Sequence, residues 1–106
     1  MNKELVQKWI EILPSYKFHH TWLRTFNDEF NPEGVLCDII DNTSWGVRES
    51  DHYYFYIPRH EIFAPSFIIK QLGISQTQRN FIQEVFVLQA TNHQRISDMI
   101  KEYLGV

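Results

Sequence analysis

The 106-residue sequence holds one cysteine, Cys37, so no intrachain disulfide can form. An intracellular, reducing setting is the default expectation. Glycine is also scarce. Its four residues are dispersed, which leaves no phosphate-cradling loop and argues against a nucleotide-hydrolysing enzyme. No apolar run approaches the roughly 18 residues that a membrane-spanning helix needs. The start, Met1-Asn2-Lys3-Glu4, lacks the apolar core of a signal peptide. Cytoplasmic localisation is therefore expected. Positive charge is not in excess: ten Lys and Arg face thirteen Asp and Glu, for a formal charge of −3. The charges do not segregate along the chain, which disfavours nucleic-acid binding and a membrane-surface role. Repeats, low-complexity stretches and linkers are missing too, so residues 1–106 read as a single globular domain.

Aromatic side chains, by contrast, are abundant. Eight Phe, five Tyr and three Trp supply large buried areas to a small core. The stretch from Phe30 to Ile40 is the clearest local signal. Asn31 is a good N-cap, Pro32 fits the first helical position, and Glu33 places a negative charge at the favourable end of the dipole. Val35, Leu36, Ile39 and Ile40 then form a buried stripe, predicting a helix over 32–41. A first helix over 3–13 buries Leu5, Trp9, Ile10 and Leu13, with Asn2 as cap and Pro14 as terminator.

Residues 15–20 read as a connection and 21–26 as a short strand. Asn27-Asp28-Glu29 reads as a turn, and Asp41 to Gly46 as polar punctuation around a Trp45 that packs on the core. Arg48 to Asp51 reads as a charged loop. His52 to Ile57 has the strongest β propensity, and 21–26 is its expected antiparallel partner. An exposed edge on 52–57 would invite a homodimer. Residues 58–63 suggest one helical turn. A short helix follows Pro65 and stops at Gly73. The next helix, about 77–89, is capped by Ser75 or Thr77, and Val85 to Leu88 fits helix better than a buried strand. Thr91 or Asn92 caps a last helix over 93–104, which Gly105 stops. The fold class expected is α+β, a small helix-rich domain with one short antiparallel β pair.

The order of these pieces, with Phe30-x-x-x-Gly34-Val35-Leu36-Cys37-Asp38-Ile39 at its centre, resembles a family of small, mostly uncharacterised proteins of tailed phages and some bacteria. The family's core reads Phe-Cys-Cys-Leu-Gly-Val-Leu-Cys-Asp-Leu. Asn31-Pro32-Glu33 stands here where the family has Cys-Cys-Leu. The resemblance implies a phage or mobile-element setting and an accessory role inside a host, and it supplies no reaction.

Candidate chemistry is thin. Cys37 sits well past the helix start among apolar and acidic neighbours, so it reads as a small buried hydrophobe rather than a nucleophile. His19, His20, His52, His60 and His93 show no zinc-ligand spacing; adjacent His19 and His20 should point apart on a strand, and a cross-strand pairing with His52 is conceivable. No metal and no cofactor are expected. Asp38 and Asp41 read as a solvated helix face, with Asp38 a structural acceptor for a loop amide or an indole N–H. The last two helices form a helical hairpin or, alternatively, a helix-turn-helix presenting Gln94, Arg95 and Lys101 to DNA, against which Asp98 and Glu102 count. The favoured site is the aromatic strand region: Tyr53, Tyr54 and Tyr56 with Trp22 and Trp45 as a binding platform. The function expected is non-enzymatic binding of a host protein or small host molecule, with DNA binding or transcription modulation as the alternative.

Overall fold

The computed structural model describes residues 1–47, 51–85 and 92–106. Helix α1 (Lys3–Ile12) begins where the Asn2 side chain accepts from the Leu5 N–H, and a 3-10 turn at Leu13–Ser15 carries Pro14. Strands β1 (Lys17–Phe18), β2 (Arg24–Thr25) and β3 (Glu29–Phe30) follow. Helix α2 (Pro32–Ile40) is capped by Asn31, whose side chain accepts from the Gly34 N–H. Next come β4 (Trp45–Val47) and β5 (His52–Phe55), then a short α3 (Ser66–Ile69) running into a 3-10 turn that Gly73 ends in the left-handed region. Helix α4 (Gln76–Glu84) opens with a capping box between Ser75 and Gln78, and α5 (His93–Leu104) runs from Asn92 to a left-handed Gly105. The expected continuation of α4 across 86–89, the break at 90–91 and most of the charged loop at 48–50 lie outside the described residues.

The fold is α+β, but its sheet exceeds the expected pair. Among the described residues five strands are ordered β1-β3-β2-β5-β4, with β1 and β3 parallel and the other neighbours antiparallel. The predicted pairing of 21–26 with 52–57 is present: Arg24 faces Tyr53 and Thr25 faces His52. Three segments read as connections or turns are strands. Lys17–Phe18 pairs with Glu29–Phe30, and Trp45–Val47 pairs with β5. Two- and three-residue strands carry too few alternations to stand out, and their partners are distant in sequence. Strand β5 is paired on both sides, so residues 52–55 offer no free edge; β1 and β4 end the sheet. The predicted helical turn at 58–63 is an irregular loop.

Helix α2 is the centre of the molecule. It contacts α1, α3 and β3, and its Val35, Leu36 and Cys37 are fully buried. Burial and the nearby carboxylates push the Cys37 thiol well up, which leaves it unreactive. The Trp9 indole N–H donates to the Pro32 carbonyl at 2.9 Å, fixing α1 on the start of α2. Ser97 Oγ donates to the Ile10 carbonyl at 2.7 Å, tying α5 to α1. Asp38 is the acceptor expected: Trp45 Nε1 donates to it at 3.0 Å and the Tyr16 hydroxyl at 2.6 Å. Among the described residues no helix is long and apolar enough to cross a membrane.

Two positions give direct tests. A Cβ built on Gly34 would overlap the Leu23 carbonyl oxygen, which is backbone and cannot step aside. Gly34→Ala, although it improves helix propensity, is expected to lower stability by about 2 kcal/mol or more in urea denaturation. His93 is buried and its ring nitrogens have no hydrogen-bond partner among the described residues. Burial pushes its pKa down to about 4, against a smaller opposing pull from the Phe30 and Lys17 carbonyls. A depressed histidine disfavours the proton in the folded state, so its contribution is present above pH 6.5 and is lost as pH falls towards 4. Urea titrations should show about 3 kcal/mol lost across that window, and His93→Leu should flatten this part of the profile.

Candidate functional site

Strand β5 ends abruptly. Phe55 is fully buried, and Tyr56 adopts φ +71° in the left-handed region, rare for a bulky side chain. The Ile57 N–H donates to the Phe55 carbonyl at 2.9 Å, closing a γ-turn of the strained, positive-φ kind around Tyr56. The Tyr56 N–H is held by the Ser44 carbonyl at 2.8 Å. The turn throws the Tyr56 side chain outward, where its ring meets that of Phe67 edge-on at 5.1 Å.

The loop that follows is irregular but tied from beneath. The Phe55 N–H donates to the His60 carbonyl, and the Leu23 N–H to the Glu61 carbonyl. Asn31, besides capping α2, donates its side-chain amide to the carbonyls of Thr21 (3.0 Å) and Ile62 (2.8 Å). Glu33 accepts from the Ala64 N–H at 2.8 Å, from Gln83 Nε2 at 2.9 Å and from Arg79 at 3.3 Å, and Arg79 also donates to the Ala64 carbonyl at 3.1 Å. Glu33 is 1% exposed. Burial pushes its carboxyl up, opposed by Arg79, Gln83 and the Ala64 amide. The sequence marks Glu33 as a first-turn acid suited to the helix dipole; the structure buries it as the anchor of a loop some thirty residues away. No local signal reveals that partner.

His52 stands at the edge of this region. Its ring stacks on Trp22, centroids 3.7 Å apart and parallel to 1°. Its two nitrogens meet Asp51 at 2.8 Å and Glu61 at 2.9 Å. Burial pulls its pKa down, but those hydrogen bonds and charges outweigh it and the net direction is up. His19 and His20 do not point apart; their rings stack 5.2 Å from centroid to centroid. No group of three or more His, Cys, Asp or Glu is placed to hold a metal among the described residues.

The aromatic residues singled out from the sequence do not share one face. Tyr53 and Trp45 lie with Phe30 around the Arg24 guanidinium, 4.4, 5.6 and 5.4 Å from the ring centroids, and Asp28 grips Arg24 at 2.7 Å. Tyr54 is half-buried over Gly46, where a Cβ would strike its ring. Gly46 is therefore a close-approach residue in a strand and not a turn residue. Trp22 lies on His52. Tyr56, expected within the strand 52–57, lies just past its end and joins Phe67. In α5, Gln94 donates to Asp98, and Gln94, Arg95 and Lys101 are all exposed.

Removing the loop's anchor tests this construction. Glu33→Ala leaves the Ala64 N–H and the Arg79 charge without their partner. Urea denaturation should show a loss of about 3–5 kcal/mol, and Arg79→Ala a comparable one. No family model, no curated protein and no solved structure matches this chain.

Proposed function

We propose that this protein is a non-enzymatic binding domain of phage-accessory type that engages a host protein through the loop running from Tyr56 to Phe67. The observation that carries this reading is the loop's inversion of the usual arrangement. Its backbone is bonded inward by Asn31, Glu33 and Arg79, while large apolar side chains face out. Tyr56 is 60% exposed, Phe67 46%, Phe63 43% and Ile62 37%. Scattered apolar residues on a surface need no explanation, but four within twelve residues on an anchored loop make a patch of the kind that mediates recognition. Tyrosine and phenylalanine suit it, because they bring contact area with few rotatable bonds.

A non-enzymatic reading is supported by the state of the titratable groups beside the loop. His52 is occupied at both nitrogens, and Glu33 is saturated by donors. The site moves from the sheet face named by sequence to the loop after it, keeping Tyr56 from the original set. The host setting rests on the motif from Gly34 to Ile39.

The double variant Tyr56→Ala/Phe67→Ala removes exposed rings only and should keep the wild-type melting temperature. In affinity capture from a bacterial host lysate followed by mass spectrometry, it should lose at least about tenfold of the partner retained by the wild-type protein, the equivalent of about 1.4 kcal/mol. Equal capture by a folded double variant would remove the loop as the binding surface.

A further inference from the structure

Beneath the outward-facing loop the surface is concave. One cavity of about 370 Å³ is lined by Arg59, His60, Phe63 and Arg79 among others. A second, about 230 Å³, is lined by Ile69, Lys70 and Ile74. Ser66 and Arg79 line both, so the two depressions adjoin at these residues as a two-lobed groove.

The groove's charge runs against that of the whole chain. The protein is net acidic at −3, yet the exposed cations Arg59 and Lys70 line the groove, where Glu61, paired with His52, is the one acid among the described lining residues; Arg79 is already matched by the buried Glu33. Arg79 is set in place by Glu33 and the Ala64 carbonyl, so its planar fork is held before anything binds. Arg59 and Lys70 are exposed, one towards each end. Apolar side chains share the lining with polar ones: Phe63 and Ile62 in the first cavity, Ile69 and Ile74 in the second. Ser66 is followed by Phe67, whose exposed ring meets that of Tyr56.

Building on the binding reading above, we infer that this groove takes an extended acidic peptide segment of the partner. Its Asp or Glu side chains meet Arg59 and Lys70, and its aromatic or aliphatic side chains sit against Phe63, Ile69 and Ile74. A single-stranded nucleic acid would also bring negative charge, but it is bound by stacking on aromatic rings along a broadly basic channel. Here Phe63 is the one aromatic ring among the described lining residues, the second lobe is walled by Ile69 and Ile74, and the chain as a whole repels phosphates, which favours the peptide.

Selection of a displayed library of random dodecapeptides on the full-length protein tests this directly. The enriched sequences should interleave Asp and Glu with aromatic and aliphatic residues. The best synthetic peptide should bind Arg59→Glu/Lys70→Glu at least about tenfold more weakly, and replacing its acids by Asn and Gln should cost as much. Both substituted positions are exposed, and an unchanged melting temperature confirms that the variant is folded. Enrichment of neutral or basic peptides, no enrichment at all, or an affinity indifferent to the charge reversal would overturn the inference. So would oligo(dT) that binds the wild type and displaces the selected peptide, which would assign the groove to single-stranded nucleic acid. A lysate partner lost by Tyr56→Ala/Phe67→Ala but kept by Arg59→Glu/Lys70→Glu would leave the binding loop standing and remove the acidic peptide.

Discussion

A carboxylate sealed from water must be met by donors, and Glu33 imposes that requirement on the molecule. Its donors come from a loop amide, the Arg79 guanidinium and the Gln83 amide, so α2, α4 and the 59–65 loop are held in one relative arrangement. This is poor economy for stability. Burial raises the Glu33 carboxyl despite Arg79, so its charged form is disfavoured by folding. Ionisation above the ordinary carboxylate pKa therefore weakens the folded state relative to the unfolded chain. An apolar residue of similar size would face no such cost. What the pair supplies is position, because a hydrogen-bonded charge tolerates far less displacement than a methyl group.

The local signals in the sequence were reliable because their physics is local. Asn2, Asn31, Ser75 and Asn92 each cap the helix that follows, since a cap needs only a side-chain acceptor three residues before a backbone donor. Gly73 and Gly105 end their helices in the left-handed region. The buried stripe of α2 and the inert Cys37 follow from period and neighbours. Asp38, placed beside an apolar stripe, was legible as an acceptor for an indole.

What stayed illegible depends on pairs far apart in the chain. Gly46 looks like a turn until Tyr54 is brought across from the neighbouring strand. Strands β1 and β3 exist because Phe18 and Phe30 meet in register, and two residues hold no alternation to read. Glu33 has every local mark of a solvated first-turn acid; its burial is decided by Ala64, Arg79 and Gln83, up to fifty residues away. The groove was hidden for a related reason. A net charge of −3 averages over the surface, whereas folding brings Arg59 and Lys70 to adjoining depressions that share Ser66 and Arg79.

Among the described residues, the two positive-φ residues other than glycine differ in what their conformation brings them. Asp28 bends the chain between β2 and β3, tolerates that conformation, and is rewarded by its contact with Arg24. The sheet aromatics are similarly committed: Tyr53, Trp45 and Phe30 enclose Arg24 and have little left to offer a partner. Tyr56 is different. Its conformation costs on the order of 1–3 kcal/mol and persists only because the Ser44, Phe55 and His60 hydrogen bonds over-determine it. Its side chain gains little burial in return. A strained backbone that points an aromatic ring into solvent is what the proposed binding role would account for, and the anchored stretch behind it presents three more exposed apolar side chains.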